Sequence, residues 1–172
     1  MSESTFTTVL IGVGNPFRSD DAVGRAIVRR LFGRVPLGIT LQEESGDGTE
    51  LLEAWKGTDC AVLVDAVQSG APPGTIHRFD AHAEKLPTWF SHCSTHAFGV
   101  AEAIELARTM GDLPSQLVVY GIEGLDFSAG TELSPEVAKI VPFAANLVLQ
   151  EILRLSAERA QLSNQHQTKS AS

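Results

Sequence analysis

Nearly continuous apolar runs alternate along the chain with segments in which apolar residues recur every three or four positions. The runs are typical of strands covered on both faces of a sheet, and they occupy residues 6–11, 59–65 and 116–121. Residues 39–43 form a weaker strand, and residues 75–79 follow a Pro-Pro-Gly turn as a short edge strand. The three- and four-residue spacing predicts helices over residues 21–32, 48–55, 96–110 and 134–155.

This alternation of strand and helix predicts a three-layer α/β/α domain on a mostly parallel sheet. Glycines at positions 33, 57 and 111 mark helix ends, and Ser134-Pro135-Glu136 opens the last helix. Pro142 predicts a kink or a restart within that helix, because proline has no amide hydrogen. Residues 159–172 are polar and without periodicity, so we expect one domain over residues 1–158 and a flexible tail after it.

The composition argues against some kinds of binding partner and indicates the cellular compartment. The 172 residues carry a formal net charge of −8, which argues against nucleic acid or an anionic membrane as a partner. No apolar run approaches the roughly 18 residues that a spanning helix needs, and the amino terminus lacks a signal-peptide pattern. Cys60 and Cys93 have no CxxC spacing, which fits a reducing compartment and argues against structural zinc. We therefore expect a cytoplasmic protein.

The first strand leads into a glycine turn, Gly12-Val13-Gly14, and then into two adjacent carboxylates. A dinucleotide site would need a third glycine where Phe17 stands, which argues against that ligand. Ser19 or Asp20 is expected to cap the following helix. Since neighbouring residues at a helix start point about 100° apart, Asp21 is left to face the carboxyl edge of the sheet.

Two more polar side chains are predicted at the same edge. Asp65 ends an apolar strand, although it could equally anchor the loop that follows. His96 lies at a predicted helix start, where the helix dipole favours a neutral imidazole. Together with Asp21 these residues suit a divalent ion or general acid/base catalysis. Such an open set of three ligands is better suited to recognising a metal carried by a partner than to holding one permanently.

Other catalytic classes are disfavoured by what the chain lacks. It has no H-E-x-x-H pattern, which argues against a zincin protease. It has no G-x-S-x-G elbow, and Cys93 has no recognisable nucleophile context, which argues against covalent catalysis.

A series of short motifs is specific in its order and spacing. The motifs are Gly12-Val13-Gly14-Asn15, Asp20-Asp21, Ser45-Gly46-Asp47-Gly48-Thr49-Glu50-Leu51-Leu52, Asp65-Ala66-Val67, Pro72-Pro73-Gly74-Thr75, His96-Ala97-Phe98-Gly99-Val100, Gly121-Ile122-Glu123 and Leu133-Ser134-Pro135-Glu136-Val137. The series resembles that of the hydrogenase maturation endopeptidases, which remove the carboxy-terminal extension from the large subunit of nickel-iron hydrogenases. The similarity covers about residues 8–155.

The resemblance implies a five-stranded sheet with one short antiparallel strand. It also implies that Asp21, Asp65 and His96 are the catalytic residues and contact nickel. The nickel belongs to the substrate, because the protease tests whether the metal has been inserted before it cuts, so no permanently bound cofactor is implied. Family members often carry glutamate in place of Asp21, which shortens the reach of the carboxylate here by one methylene.

The glycine-rich segment 45–49 is predicted to be a mobile loop from its composition, and the resemblance makes it a substrate-recognition element. Its recognition residues would be Gly46, Asp47, Gly48 and Thr49, without a separate role for Asp47. The partner implied is the precursor of the hydrogenase large subunit, and we expect a monomer that docks on it transiently.

Several readings remain open at this point. Nickel could polarise the scissile carbonyl while Asp21 or Asp65 activates water, or the metal could only position the substrate. Alternatives to this protease are a non-catalytic maturation chaperone that binds a metal or partner in the same crevice, and another hydrolase with its own divalent ion.

Overall fold

The structure is a computed structural model and describes residues 6–92 and 94–170, so Cys93, the start of the chain and its last two residues lie outside the description. Its strands are β1 (Thr8–Val13), β2 (Ile39–Glu44), β3 (Cys60–Val67), β4 (Ile76–Asp80) and β5 (Gln116–Glu123). Its α-helices are α1 (Val23–Arg29), α2 (Gly48–Trp55), α3 (Val100–Met110) and α4 (Pro135–Ser170), with 3-10 turns at Ser19–Ala22 and Thr88–Ser91.

The five strands form one sheet in the order β2-β1-β3-β5-β4. Strands β1, β2, β3 and β5 are parallel, and β4 pairs antiparallel with β5. The predicted fold class is therefore confirmed, including the single short antiparallel strand. Strand bounds differ from the predicted ones by up to two residues, chiefly because β1, β3 and β5 each continue two residues beyond the predicted end, to Val13, Val67 and Glu123.

Alternate side chains along the strands build two separate hydrophobic clusters, one on each face of the sheet. Leu10 packs with α1 and α4 on one face, whereas its neighbour Ile11 packs with α2 and α3 on the other. Both residues are fully buried. The three layers predicted from the sequence are thus present, with the helices paired as α1 with α4 and α2 with α3.

Three helices differ from their predicted extents. The first begins with the 3-10 turn Ser19–Ala22 and ends at Arg29, before residue 32. Helix α3 begins at Val100 rather than at residue 96, so His96 lies in a loop. Helix α4 is not restarted at Pro142 and continues to Ser170, so the backbone of residues 159–170 is helical where no regular structure was expected.

Packing explains why α4 passes through its proline. Its apolar positions on both sides of Pro142 face the sheet in one continuous row: Val137, Val141, Ala144, Ala145, Val148, Ile152 and Leu155. Burying this row outweighs one lost backbone hydrogen bond. By length and composition alone, Pro135–Glu158 is apolar enough to cross a membrane, which corrects the sequence-based statement that no such segment exists. In this fold the segment supplies core contacts.

Two glycines set the position of the site by letting the backbone approach closely. A Cβ on Gly24 would lie 2.1 Å from the carbonyl oxygen of Val64, so α1 crosses directly above β3. Gly14 has φ of +139°, and a Cβ there would lie 1.8 Å from the carbonyl oxygen of Asp21. Only glycine fits both constraints. The Asp21 segment is thereby held against the carboxyl end of β1.

Candidate active site

A cleft lies at the carboxyl edge of β1 and β3, between the segments that follow β1, β2 and the Thr88–Ser91 turn. We call it the acid–imidazole cleft. It contains all three side chains named from the sequence, Asp21, Asp65 and His96. The residues that line it are Val13, Gly14, Asp21, Ser45, Gly46, Asp65, Ala66, Ser94, Thr95, His96 and Val100.

Asp21 is nearly buried, with 7% of its surface exposed. Its Oδ2 accepts a hydrogen bond of 2.9 Å from the backbone amide of Asn15 and lies 3.7 Å from Nη1 of Arg18. Burial raises the pKa of this carboxyl, although the Asn15 amide and the charges of Arg18 and His96 pull it in the opposite direction. The carboxylate is therefore fixed in orientation but only partly compensated in charge.

Asp65 lies two residues before the end of β3, since the strand continues to Val67 rather than closing at the aspartate. The residue is half-buried, and its Oδ1 accepts a hydrogen bond of 2.8 Å from the amide of Ala66. Burial, and then the negative charge of Asp21, raise the pKa of Asp65 to about 8. At neutral pH Asp65 therefore retains its proton.

His96 lies in the loop that precedes α3, so the helix-dipole argument for its neutral form does not apply. Its amide donates to Oγ of Ser94 at 3.1 Å, and its side chain is one-third exposed. Its Nδ1 lies 3.8 Å from Oδ2 of Asp47. The imidazole also acts electrostatically on Asp21, which places the two side chains within interaction range across the cleft.

The predicted recognition segment is only partly a loop. Gly46 lines the cleft with φ of +99°, whereas Gly48 and Thr49 belong to the first turn of α2. Asp47 caps that helix, because its Oδ1 accepts a hydrogen bond of 2.8 Å from the amide of Thr49. The structure therefore gives Asp47 a defined local role that the sequence did not.

Asp20 does not cap the helix that follows it, contrary to the sequence-based interpretation, and no side-chain cap is present there. Its carboxylate is completely buried. It accepts hydrogen bonds from the amides of Leu125, Asp126 and Ser134, at 2.8, 2.9 and 2.7 Å, and from the hydroxyl of Ser134 at 2.8 Å. Asp20 therefore ties the start of the first helix to the segment between β5 and α4.

Ser19 allows the two aspartates to diverge. Its φ of +49° is left-handed, and its hydroxyl donates to the carbonyl oxygen of Ser128 at 3.0 Å. The side chain of Asp20 then binds the segment after β5, whereas the side chain of Asp21 lines the cleft. Sequence reasoning anticipated that the two side chains diverge, but the partners of Asp20 lie more than 100 residues away and leave no local signal.

Glu123 is a second buried carboxylate to which the sequence assigned no role, although its motif was noted. It accepts hydrogen bonds from the amide and hydroxyl of Ser69 and from the amide of Gly70, and lies 3.3 Å from Nε2 of His77. His77 is part-buried, and its ring lies against that of Trp89. This network holds the segment after β3 against β5 and thereby supports the end of the strand that carries Asp65.

The donor set of the cleft, two carboxylates and one imidazole, is chemically suited to a divalent transition metal. Among the side chains that the structure describes, however, no three from His, Cys, Asp or Glu converge closely enough to hold an ion. Asp21, Asp65 and His96 would have to close around a cation as it enters.

The fold and cleft together define an α/β protein with an acid–imidazole site at the carboxyl edge of its sheet. A sequence model of the hydrogenase maturation protease family matches residues 44–151. The chain belongs to this family. The matched segment contains Asp65, His96 and the 45–49 segment.

Individual relatives extend the similarity over most of the chain. The hydrogenase 2 maturation protease of Escherichia coli is 27% identical over 154 residues, which cover 87% of this chain and 93% of that protein. The hydrogenase expression/formation protein HupD of Thiocapsa roseopersicina is 26% identical over 147 residues, 83% of this chain and 66% of that protein.

Solved structures show the same fold. An endopeptidase from Escherichia coli superposes with a TM-score of 0.74 at 26% identity, over 83% of this chain and 90% of that one. The hydrogenase maturating endopeptidase HybD of Escherichia coli superposes with a TM-score of 0.73 at 24% identity, over 87% of this chain and 93% of that one.

Removing the buried carboxylate of Asp20 should lower the stability of the folded chain. Asp20→Ala leaves three backbone amides and one hydroxyl without their acceptor, so we expect the free energy of unfolding to fall by about 3–5 kcal/mol. Asp126→Asn is the matched control at an exposed aspartate, with an expected loss of less than about 1 kcal/mol. Urea denaturation measures both, and equal losses in the two variants would contradict this role of Asp20.

The raised pKa of Asp65 predicts a pH-dependent stability. The folded chain keeps a proton on Asp65 up to about pH 8, whereas the unfolded chain releases it near the ordinary pKa of 3.8. Between these values the folded state binds more protons, so this group makes the free energy of unfolding decrease as pH rises. Asp65→Asn should remove that pH dependence. Its free energy of unfolding, relative to that of the wild type, should therefore rise by about 1–2 kcal/mol between about pH 5 and 8.

Urea denaturation across this pH range, in the presence of a chelator, measures the difference. Asp112→Asn, an exposed aspartate at the opposite edge of the sheet, should keep the wild-type slope. A slope for Asp65→Asn that is parallel to the wild type would show that Asp65 ionises normally.

Proposed function

We propose that this chain removes the C-terminal extension of a nickel-iron hydrogenase large-subunit precursor after nickel insertion. The observation that carries the proposal is that Asp21, Asp65 and His96 line one cleft in a member of the maturation protease family. The nickel is supplied by the substrate and serves as its recognition element, so the chain needs no permanently bound cofactor. We expect it to act in the cytoplasm as a monomer that docks transiently on the precursor.

The charge distribution of the cleft favours a cation that arrives with the substrate. Asp21 and Asp65 share a poorly solvated site, and their mutual repulsion is relieved by a positive ion between them. The imidazole of His96 adds a nitrogen donor that nickel accepts readily. A precursor without nickel would offer none of these interactions, which is how the cleft would distinguish the two forms.

The proton that Asp65 retains also supports hydrolysis by the carboxyl pair, an aspartic-type mechanism. The ionised member would accept a proton from water as the water oxygen bonds to the scissile carbonyl carbon. The protonated member would then donate its proton to the leaving amine as the C–N bond breaks. Nickel held by the same side chains could polarise the carbonyl, or it could only position the peptide, and both schemes use Asp21 and Asp65.

Processing of a purified precursor tests the proposal. The wild type should release the carboxy-terminal peptide from nickel-loaded precursor and leave nickel-free precursor intact, as measured by mass spectrometry. Asp65→Asn should reduce the rate by about 100-fold or more, because it removes both a proton carrier and a charged ligand. Asp112→Asn, with the same chemical change far from the cleft, should process at the wild-type rate.

The other outcomes decide against particular parts of the proposal. Equal cleavage of nickel-loaded and nickel-free precursor would overturn nickel recognition. Binding of the loaded precursor without release of a peptide would favour the non-catalytic chaperone instead. Normal processing by Asp65→Asn, at retained stability, would show that the cleft is not the active site.

A further inference from the structure

Asp47 presents its two carboxylate oxygens to different partners. Oδ1 accepts the hydrogen bond from the amide of Thr49 that caps α2. Oδ2 faces Nδ1 of His96 at 3.8 Å, which is an ion-pair distance rather than a hydrogen bond. Capping needs only one oxygen, so the second is available to the imidazole.

The backbone around this pair is held firmly. Oγ of Ser45 accepts a hydrogen bond from the amide of Asp47 at 3.2 Å, and the amide of Gly48 donates to the carbonyl oxygen of Phe98 at 2.8 Å. A Cβ on Gly48 would lie 2.3 Å from the ring of Phe98, so the start of α2 and the loop that carries His96 are in direct contact. The distance between Asp47 and His96 is therefore set by the packing of the start of α2 against the loop before α3.

The ionised carboxylate of Asp47 is suited to accept a hydrogen bond from a protonated ring nitrogen of His96. Hydrogen bonds from the start of α2, principally from the amide of Thr49, lower the pKa of this carboxyl, so it is ionised at neutral pH. Neutral imidazole carries its single proton on either nitrogen, and the hydrogen bond made by one nitrogen decides which of them is protonated.

We propose that Asp47 is a positioning residue that keeps the proton of His96 on Nδ1 and thereby leaves the lone pair of Nε2 for the acid–imidazole cleft. The inference deepens the proposed function, because Nε2 is then the atom that meets the cation or the reacting groups beside Asp21 and Asp65. It gives Asp47 a task beyond capping α2. A small movement of either side chain closes the 3.8 Å gap to a hydrogen bond.

The experiment reads the tautomer directly and does not need catalysis. Long-range ¹H–¹⁵N correlation spectra of the full ¹⁵N-labelled chain, recorded where the imidazole is neutral, report which nitrogen of His96 is protonated. The His96 signals are assigned by their loss in His96→Gln. The wild type should show the proton on Nδ1.

Two variants keep the helix cap and change only what faces the imidazole. Asp47→Asn can still accept from Thr49, but its NH₂ group donates to Nδ1, so the proton should move to Nε2. Asp47→Ser also caps helices well but does not reach His96, so a mixture of tautomers should appear. Asp126→Asn, at an aspartate bonded to Ser128, should leave the tautomer of His96 unchanged.

A wild-type proton on Nε2, or an unchanged tautomer in both Asp47 variants, would overturn the inference. Processing separates it from the proposed function. Asp47→Asn should lower the processing rate of nickel-loaded precursor by about 10–100-fold at unchanged thermal stability. If the wild type processes no precursor, the proposed function fails while the tautomer result still decides the role of Asp47.

Discussion

The buried carboxylate of Asp20 is the interaction on which the site depends. Four hydrogen bonds from the segment between β5 and α4 converge on this carboxylate, which is fully buried. They fix the backbone immediately before Asp21. The backbone also approaches closely at Gly14, against Asp21, and at Gly24, against Val64. With these contacts in place, the side chain of Asp21 points toward the cleft.

Next to this anchored backbone, the cleft brings together carboxyl groups whose charges repel each other in the absence of a ligand. Asp21 and Asp65 oppose each other's ionisation, and the charge of Arg18 compensates that of Asp21 only in part. A cation between the two carboxyl groups would relieve this repulsion. The strain is electrostatic and is offset elsewhere, by the Glu123 network behind β3 and by the two hydrophobic clusters. Under the proposed function, the same repulsion would favour a metal-loaded substrate.

Much of the architecture could be predicted from the sequence because it depends on local patterns. Unbroken apolar runs gave the central strands, and the helix over Gly48–Trp55 has the predicted bounds. The predicted start of the helix after His96 was wrong by four residues. Ser94 and His96 hydrogen-bond to each other within the loop, and the amide of Gly99 donates to the side chain of Glu102, which fixes the start of α3 at Val100. The passage of α4 through Pro142 was missed because burial against the sheet outweighs the local preference of proline.

For the site, sequence order was enough to name Asp21, Asp65 and His96, because the carboxyl ends of parallel strands meet at one edge. It was not enough for Asp20, Glu123 or Asp47. The roles of these residues come from partners between 46 and 114 positions away, apart from the local cap made by Asp47. Residues that act through such distant contacts leave no periodicity and no short motif to recognise.

The proposed function requires that the three side chains of the cleft hold one cation jointly. Crystals of the wild-type chain can be soaked in nickel and diffraction data collected on both sides of the nickel absorption edge. We expect one strong anomalous peak about 2.0–2.3 Å from carboxylate oxygens of Asp21 and Asp65 and from Nε2 of His96. A peak bound elsewhere, or a well-ordered cleft without a peak at saturating nickel, would show that these side chains do not form one cation site.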